Sequence, residues 1–482
     1  MSNQSLRQAS VRAVTGTSGT YEEDWHALFT LAGVQAGVFN ERLYAWLNAQ
    51  LGTTYGTLSD AMRAYAVTQG ASSWDQMGTF SPSSFYVDGI TALTPSTLAF
   101  SGANGTYFDS AGVLQDAASN TPRFDYNRST LAPRGILIEP ARTNSIRNNT
   151  AQGGGAGVLP TNWNVAGGAG MTVTYLGTGT EDGIPYFDVR FQGTPGATSS
   201  WCIRFELAGV IAATLGQTWT QSAFVRMIAG STTNLAALAL AIQCLDAGTV
   251  IVESSNASVL STVTGSKLSV CRGSGAYTVA NANTVSIRSQ VTISYTNGLA
   301  VDITLRIGLP QLELGAYATS PIKTTSAAVT RSADLPTATL SGIAAPFYAV
   351  MEGEVVAPEA NAVIYSIHEP ATVNIPSSLR VSSGGAWALD TVTSGVTQAT
   401  LFPSGTTPVA GTIFKTAHAV ETNNIRACLN GGTVSTDASA TISTLSQIRF
   451  GADRGSSNAS AFWLRRMRIF EGTPTDAQLQ AL

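Results

Sequence analysis

Histidines and neighbouring acidic residues are the side chains that could carry catalysis in this chain. The three histidines are His26, His368 and His418. No Gly-x-Ser-x-Gly elbow places a nucleophilic serine beside one of them, so we interpret each as a half-exposed polar residue. Glu352 and Glu354 share one face of a predicted strand, and Glu181-Asp182 lies in a predicted turn. A glycosidase must keep one of two facing carboxylates protonated, and neither spacing indicates this, so we expect solvated acids and no catalytic residue.

Cysteines and short motifs indicate neither a metal nor a cofactor. The four cysteines are Cys202, Cys244, Cys271 and Cys428. No two of them have the spacing of metal ligands, and four in 482 residues do not make a disulfide framework. The HExxH, P-loop, GxGxxG and EF-hand patterns do not occur. We therefore expect buried thiols, no metal and no cofactor.

Aromatic residues offer a different chemistry, the binding of sugars. A β-sandwich can hold a sugar by stacking its ring on an exposed Trp or Tyr while Asn, Asp and Gln bond the hydroxyls. The candidate platforms for carbohydrate binding are Trp163, Trp201, Tyr277 and Trp387. Packing in a core is the competing interpretation for each of them. Trp219 and Trp463, by contrast, lie in segments whose pattern predicts core strands.

The composition indicates which elements must position these side chains. Hydrophobic residues make up 44% of the chain, and charged residues only 12%, about half the usual share. Small and polar residues replace the charges, which favours strands joined by short turns. The net charge is −4 without a cluster of cations, which argues against binding to nucleic acid. The densest basic group, Arg465-Arg466-Met467-Arg468, predicts the edge of a sheet.

Residues 21–70 carry the helical periodicity of the chain. Apolar residues recur there at helical spacing in three short stretches, two of which end at Gly52 and Gly70. Three short helices bury little surface alone, so we expect them to form a small helical unit or to attach residues 1–85 to another protein. The residues expected at that contact are Trp25, Phe29, Leu43, Trp46 and Tyr65. No signal peptide and no apolar run of about 18 residues is present, so we expect no membrane insertion.

From about residue 85 the pattern becomes that of strands. Segments such as Ala300-Val-Asp-Ile-Thr-Leu-Arg-Ile alternate apolar and polar residues, which predicts one buried and one wet face. Gly153-Gly-Gly-Ala-Gly and the prolines Pro321 and Pro336 indicate boundaries near 150 and 330. The predicted fold is mainly β. A small N-terminal helical unit (1–85) and a short β collar (86–150) precede two antiparallel β-sandwich, or jelly-roll, domains (151–330 and 331–482).

Two motifs, Pro122-Arg-Phe-Asp-Tyr and Glu139-Pro-Ala-Arg-Thr-Asn, follow an Asp-x-x-Gly turn at Asp109. This arrangement resembles a segment of the tail-fibre and spike proteins of tailed bacteriophages and prophages. Gly308-Leu-Pro-Gln-Leu-Glu-Leu and Ala328-Val-Thr-Arg-Ser-Ala-Asp are similar to the end of a carbohydrate-binding-module-like jelly roll and its connector. Phe462-Trp-Leu-Arg-Arg-Met-Arg-Ile-Phe and Thr475-Asp-Ala-Gln-Leu-Gln-Ala-Leu resemble the last strand and the closing helix of a laminin-G- or concanavalin-A-like sandwich.

Charged residues within the first two of these segments also have a structural interpretation. The segments contain three arginines close to two acidic residues, so ion pairs between them could fix one geometry. The arginines are Arg123, Arg134 and Arg142, and the acidic residues are Asp125 and Glu139.

The resemblance implies a structural protein of the virion. Residues 1–85 would then hold the chain to a portal, neck or tail protein, and the chain would form a homotrimer whose sandwiches contact a glycan of the host surface. Two alternatives remain. The protein could be purely architectural, as a collar, neck or decoration protein, or it could be a glycan depolymerase.

Overall fold

The structure, a computed structural model, describes residues 85–89, 98–168, 170–340, 343–369, 372–402 and 407–481. The helical unit expected over 1–85, with its five attachment residues, lies outside these ranges. The described chain is mainly β with antiparallel sheets, which confirms the predicted fold class.

In the described ranges before residue 145 the chain forms six short strands. They are β1 (Phe85–Asp88), β2 (Thr106–Phe108), β3 (Leu114–Asp116), β4 (Phe124–Tyr126), β5 (Pro133–Ile138) and β6 (Arg142–Asn144). β2 and β3 form a hairpin whose turn is tied by the Asp109 carboxylate, which accepts from the amides of Ala111 and Val113. This is the turn chemistry expected of an aspartate followed by glycine.

The first sandwich follows, and it consists of two antiparallel sheets. The six-stranded sheet contains β7 (Asn164–Ala166), β10 (Ser199–Arg204), β11 (Ile211–Ala212), β13 (Leu235–Leu245), β14 (Ile251–Ser258) and β16 (Ser286–Tyr295). The five-stranded sheet contains β8 (Met171–Glu181), β9 (Ile184–Gly193), β12 (Thr218–Gly230), β15 (Arg272–Thr278) and β17 (Val301–Leu314). A 3-10 helix spans Leu268–Val270.

The second sandwich begins after the connector that follows β17. One sheet contains β19 (Thr337–Thr339), β21 (Val363–His368), β22 (Ile375–Val381), β23 (Trp387–Thr393), β24 (Val396–Leu401) and β28 (Gln447–Phe450). The facing sheet contains β20 (Phe347–Ala357), β25 (Ile413–Glu421), β26 (Asn424–Leu429), β27 (Ser435–Asp437) and β29 (Ala461–Glu471). β18 (Val329–Arg331) pairs with β6, and helix α1 (Asp476–Gln480) follows β29 with a capping box at Thr475.

The collar expected over 86–150 is not a separate segment. Strands β1 and β5 pair with β29, and β4 pairs with β5, so all three extend a sheet of the second sandwich. Ile136 and Ile138 are buried in the core of that sandwich. The reason is long-range pairing with residues more than 300 positions later, which the local pattern does not show.

The core of each sandwich lies between its two sheets. In β17, Val301, Ile303, Leu305 and Ile307 all face the first core, as their alternation predicts. Trp219 and Trp463 are also buried, which confirms the prediction for both. The chain enters and leaves the first sandwich at one place, because the Asn149 amide donates to Thr324 Oγ1 (3.1 Å) and the Thr324 amide donates to Asn149 Oδ1 (2.7 Å).

Two expectations about charged residues on strands are wrong. Residues 465–468 lie in β29, which has β20 on one side and β1 and β5 on the other, so they are inside the sheet rather than at its edge. Glu352 and Glu354 are buried instead of solvated. Glu352 accepts from the Arg465 Nε, and Glu354 pairs with Arg134, whose guanidinium stacks on the Trp463 ring at 3.3 Å. Cationic partners from other segments are what permit this burial.

Candidate functional site

Two of the four predicted sugar platforms are buried and cannot stack on a sugar. Trp163 is 5% exposed and lies edge-on to Phe205, with the ring centroids 4.9 Å apart. Trp387 is 3% exposed and contacts Phe414 at 4.6 Å between centroids. For these two residues the competing interpretation, packing in a core, is correct. Aromatic partners brought in from other strands cover the ring faces, and no local pattern indicates such partners.

The other two candidates, Trp201 and Tyr277, are half-buried. Trp201 lies in β10 opposite Ile293 and packs against the first core with part of its surface open. Tyr277 lies in β15, and its hydroxyl donates to Glu253 Oε2 at 3.0 Å. They belong to different sheets and lie near opposite ends of the first sandwich, so the structure does not bring them together into one site.

A pocket that the sequence did not indicate lies at one end of the first sandwich. Its volume is about 250 Å³, below the roughly 300–1,000 Å³ typical of drug-sized ligands, so it suits a group the size of one sugar ring. The residues that line this tip pocket include Ser231, Thr233, Asn234, Leu235, Ala300 and Asp302. They come from the β12–β13 and β16–β17 connections. Ser, Thr and Asn are common in any loop, which is why no motif marked them.

The tip pocket is held in shape by hydrogen bonds of its own loops. Asn234 Nδ2 donates to the Ala300 carbonyl at 2.6 Å, and the Ser231 amide donates to the Asp302 carbonyl at 3.0 Å. The Asp302 carboxylate accepts two bonds from Arg190, at 2.9 and 2.8 Å. The hydrogen bond from Arg190 lowers the pKa of Asp302, so the carboxylate stays ionised. Hydroxyls and amides around an ion pair can bond sugar hydroxyls, which both donate and accept.

A second site is the junction between the two sandwiches, which is built on Arg123. Its Nη1 donates to Glu139 Oε2 (2.8 Å) and Ser320 Oγ (2.9 Å), and its Nη2 pairs with Asp334. Burial opposes the charge of Arg123, but attraction to Asp334 and Glu139 outweighs it and raises the pKa. Burial likewise opposes ionisation of Glu139, but Arg331 and Arg123 lower its pKa to about 2. Arg123 and Glu139 therefore stay ionised at neutral pH, whereas burial raises the pKa of Asp334.

Further polar residues extend this junction into the first sandwich. Arg331 Nη1 lies 3.1 Å from Glu139 Oε2 and donates to Thr319 Oγ1 at 3.0 Å. The Thr319 amide and hydroxyl both donate to Glu313, at the end of β17. Asn144 Oδ1 accepts from the Leu312 amide at 3.1 Å. Polar groups from both sandwiches are thereby joined in one buried network, which favours a fixed geometry between them.

Four of the six segments that resemble parts of phage fibre proteins meet at this junction. Arg123 comes from the Pro-Arg-Phe-Asp-Tyr segment, Glu139 and Asn144 from Glu-Pro-Ala-Arg-Thr-Asn, and Arg331 and Asp334 from the connector after β17. The predicted ion pair of Arg123 with Glu139 is confirmed. Their chemistry is structural, because the charged atoms bond one another and are closed to solvent.

The described histidines are buried rather than half-exposed. His418 and His368 are both 0% exposed. His418 Nδ1 lies 2.7 Å from Ser377 Oγ, a distance that would suit a nucleophile and its base. Both side chains lie between the sheets of the second sandwich with no opening to solvent, so no substrate can reach the pair. The four cysteines are free and buried, as predicted.

Metal sites and membrane-spanning helices were also sought in the described ranges. Among these residues no group of three or more His, Cys, Asp or Glu side chains could hold a metal ion. In the same part of the chain, no helix is long and apolar enough to cross a membrane.

Comparison with known proteins gives fold-level likeness alone. No family model and no curated protein matches the chain. The CBM40 module of the Ruminococcus gnavus IT-sialidase is 16% identical over 28% of this chain and 80% of its own, with a TM-score of 0.23. The tripod from the baseplate of bacteriophage Tuc2009 is 10% identical over 66% of this chain and 100% of its own, with a TM-score of 0.27. A tail fibre protein from an E. coli phage is 10% identical over 65% of this chain and 40% of its own, with a TM-score of 0.20. Scores this low establish neither a shared family nor a shared function.

Proposed function

We propose that this protein is a structural component of a bacteriophage virion, a fibre or spike whose first sandwich contacts a glycan of the host surface. Residues 1–85 attach it to a portal, neck or tail protein, and three copies assemble into a trimer. The protein carries out no catalysis. Repetition of one weak sugar site on three chains raises the avidity for a cell surface without any new contact.

The observation that carries the proposal is the convergence of the phage-like segments on the junction. A buried network that joins two sandwiches suits a protein that must hold a binding surface at a fixed distance from its anchor. β17 runs for 14 residues, and Leu312 at the junction lies roughly 36 Å from Val301 at the tip pocket, at about 3.3 Å per residue. The pocket thus lies at the end of the first sandwich away from the second.

The architectural alternative is also favoured by a specific observation. Trp163 and Trp387 are core residues, and the tip pocket lacks an aromatic wall. A collar or decoration protein needs only sandwiches that pack and a junction that keeps them apart. In that function the tip pocket would have no ligand.

A binding experiment on host cells distinguishes the glycan-binding function from the architectural one. The labelled chain is added to cells of the host with and without periodate oxidation of their surface sugars. The matched variants are Thr233→Trp, which fills the tip pocket, and Thr214→Trp, an exposed loop position near the opposite end of the same sandwich. We expect saturable binding that periodate abolishes, that Thr233→Trp weakens at least tenfold and that Thr214→Trp leaves unchanged.

The opposite results have equally clear meanings. A folded wild-type chain that does not bind at micromolar concentration would support the architectural function. Binding that survives periodate would point to a protein receptor and would contradict glycan contact. Sedimentation of the full chain tests the trimer, because a monomer at micromolar concentration would exclude it.

A further inference from the structure

Two arginines lie side by side on the outer face of the six-stranded sheet. In β16, Ile287, Val291 and Ile293 face the core, so Arg288, Gln290 and Thr292 lie on the other face of the sheet, where Arg288 is 6% and Gln290 is 2% exposed. Arg204 of β10 is directly opposite Gln290 in the strand register. Arg204 and Arg288 are therefore diagonal neighbours, with Cα atoms roughly 7–8 Å apart.

Neither guanidinium has a carboxylate partner in the described part of the chain. Arg204 Nε is buried without an acceptor, and Arg288 Nε donates to Gln243 Oε1 at 2.8 Å. Glu206, two residues after Arg204, is fully used, because Arg147 donates to both of its oxygens at 2.9 and 2.8 Å. Burial, and then the charge of Arg204, lowers the pKa of Arg288 to about 10. Two like charges at this separation destabilise a sheet unless an anion joins them.

Small and amide side chains surround the two arginines. On β13, the small residues Ala239 and Ala241 are 4% and 2% exposed, and Ala241 lies between Gln290 and Asn256 in the strand register. Gln290 Oε1 is buried without a donor, and Asn164 lies beside Arg204 in β7. The outward positions named here include no aromatic ring on which a nucleobase could stack, and the chain carries a net charge of −4. These features suit a ligand that carries one anionic group and is otherwise polar and uncharged.

We propose that Arg204 and Arg288 bind the carboxylate of an acidic sugar, such as a uronic acid, within a host-surface glycan. The carboxylate accepts charge-assisted hydrogen bonds from both guanidinium groups, while a ring hydroxyl bonds the amide of Asn164, which lies beside Arg204. The inference rests on the proposed glycan contact, but it concerns a different surface from the tip pocket.

Saturation-transfer NMR titration of the full chain with a matched pair of ligands tests the proposal. Methyl glucuronide and methyl glucoside differ only in the carboxylate, and sodium phosphate serves as a free anion. We expect the glucuronide to bind at least tenfold more tightly than the glucoside and than phosphate. Arg204→Gln and Arg288→Gln should each weaken glucuronide binding about tenfold. Arg454→Gln, which removes one charge from a loop of the second sandwich, and Thr233→Trp, which fills the tip pocket, should leave it unchanged.

Each other result would overturn the proposal. Equal binding of glucuronide and glucoside would show that the carboxylate is not recognised. Phosphate binding as tight as the glucuronide would show a simple anion site. Thermal unfolding checks that the arginines are not structural, because removal of one of two repelling charges should leave Tm unchanged or raise it. A clear fall in Tm for both variants would assign them a role in folding instead.

The proposed function and this inference fail in different ways. If Thr233→Trp loses cell binding and the wild-type chain binds no acidic sugar, glycan contact at the tip pocket is supported and the arginine site is contradicted. A wild-type chain that binds neither host cells nor acidic sugars would contradict both the proposed glycan contact and the arginine site.

Discussion

His418 makes the stability of the second sandwich depend on pH, and its surroundings set the magnitude. The ring is 0% exposed between two sheets, and Nδ1 lies 2.7 Å from Ser377 Oγ. Ser377 Oγ is also 3.0 Å from the Tyr365 hydroxyl. His418 Nε2 is buried without a partner among the described residues. Burial therefore lowers the pKa of His418 to about 3, from an ordinary value near 6.5.

The sign follows from where the proton binds. The unfolded chain takes up a proton on His418 below about pH 6.5, whereas the folded sandwich does so only below about pH 3. The contribution to stability is therefore complete above pH 6.5 and is lost as the pH falls toward 3. Between pH 7 and pH 5, the free energy of unfolding should fall by about 2 kcal/mol on account of this residue.

Hydrogen exchange in urea, measured at both pH values, resolves the two sandwiches. Peptides from β25 report on the second sandwich, and peptides from β16 report on the first, which contains no histidine. In His418→Asn the decrease between pH 7 and pH 5 should be smaller by about 2 kcal/mol than in the wild type. His368, whose pKa burial also lowers, is present in both proteins and cancels in the comparison. The reasoning is refuted if wild type and variant lose the same stability.

Three further predictions concern buried residues. Glu139→Gln should lower the free energy of unfolding by about 3–5 kcal/mol, because Arg123 and Arg331 lose a charged partner, and chemical denaturation measures this. Unchanged stability would show that the network is not needed. Trp387→Ala should cost about 3–5 kcal/mol by the same measurement while cell binding of the folded fraction is retained; loss of binding would restore Trp387 as a platform. Burial raises the pKa of Cys244 to about 12, so iodoacetamide at pH 8 should leave this thiol unmodified until urea unfolds the chain, as mass spectrometry would show. Rapid labelling of the native protein would contradict the burial.

Local patterns were sufficient to predict the strands and much of the core. The alternation of apolar residues in β17 and the burial of Trp219 follow from sequence spacing, because the two faces of a strand repeat every second residue. The short helix after β29 was expected from the resemblance to fibre proteins and is present as α1, with a capping box at Thr475.

Features that depend on pairing between distant segments could not be predicted in this way. The pairing of Leu137 with Trp463 joins residues more than 300 positions apart, so the collar was wrongly taken as separate. The neighbourhood of Arg204 and Arg288 depends on the register of β10 and β16, which the sequence does not specify. The tip pocket lies between two connections of ordinary loop composition.

The shared point at which the chain enters and leaves the first sandwich has a consequence for folding. The first sandwich is an insertion within the second, because strands from before residue 145 and after residue 345 complete the same sheet. During synthesis the first sandwich can fold as soon as β17 has been made. The second sandwich cannot complete its sheet until β29 has also been made.

The same arrangement has a consequence for evolution and design. The two chain ends of the first sandwich are hydrogen-bonded to each other at Asn149 and Thr324, so a different module with adjacent ends could take its place. Such a replacement would leave the second sandwich unchanged. The inserted domain alone would then differ between proteins that bind different hosts.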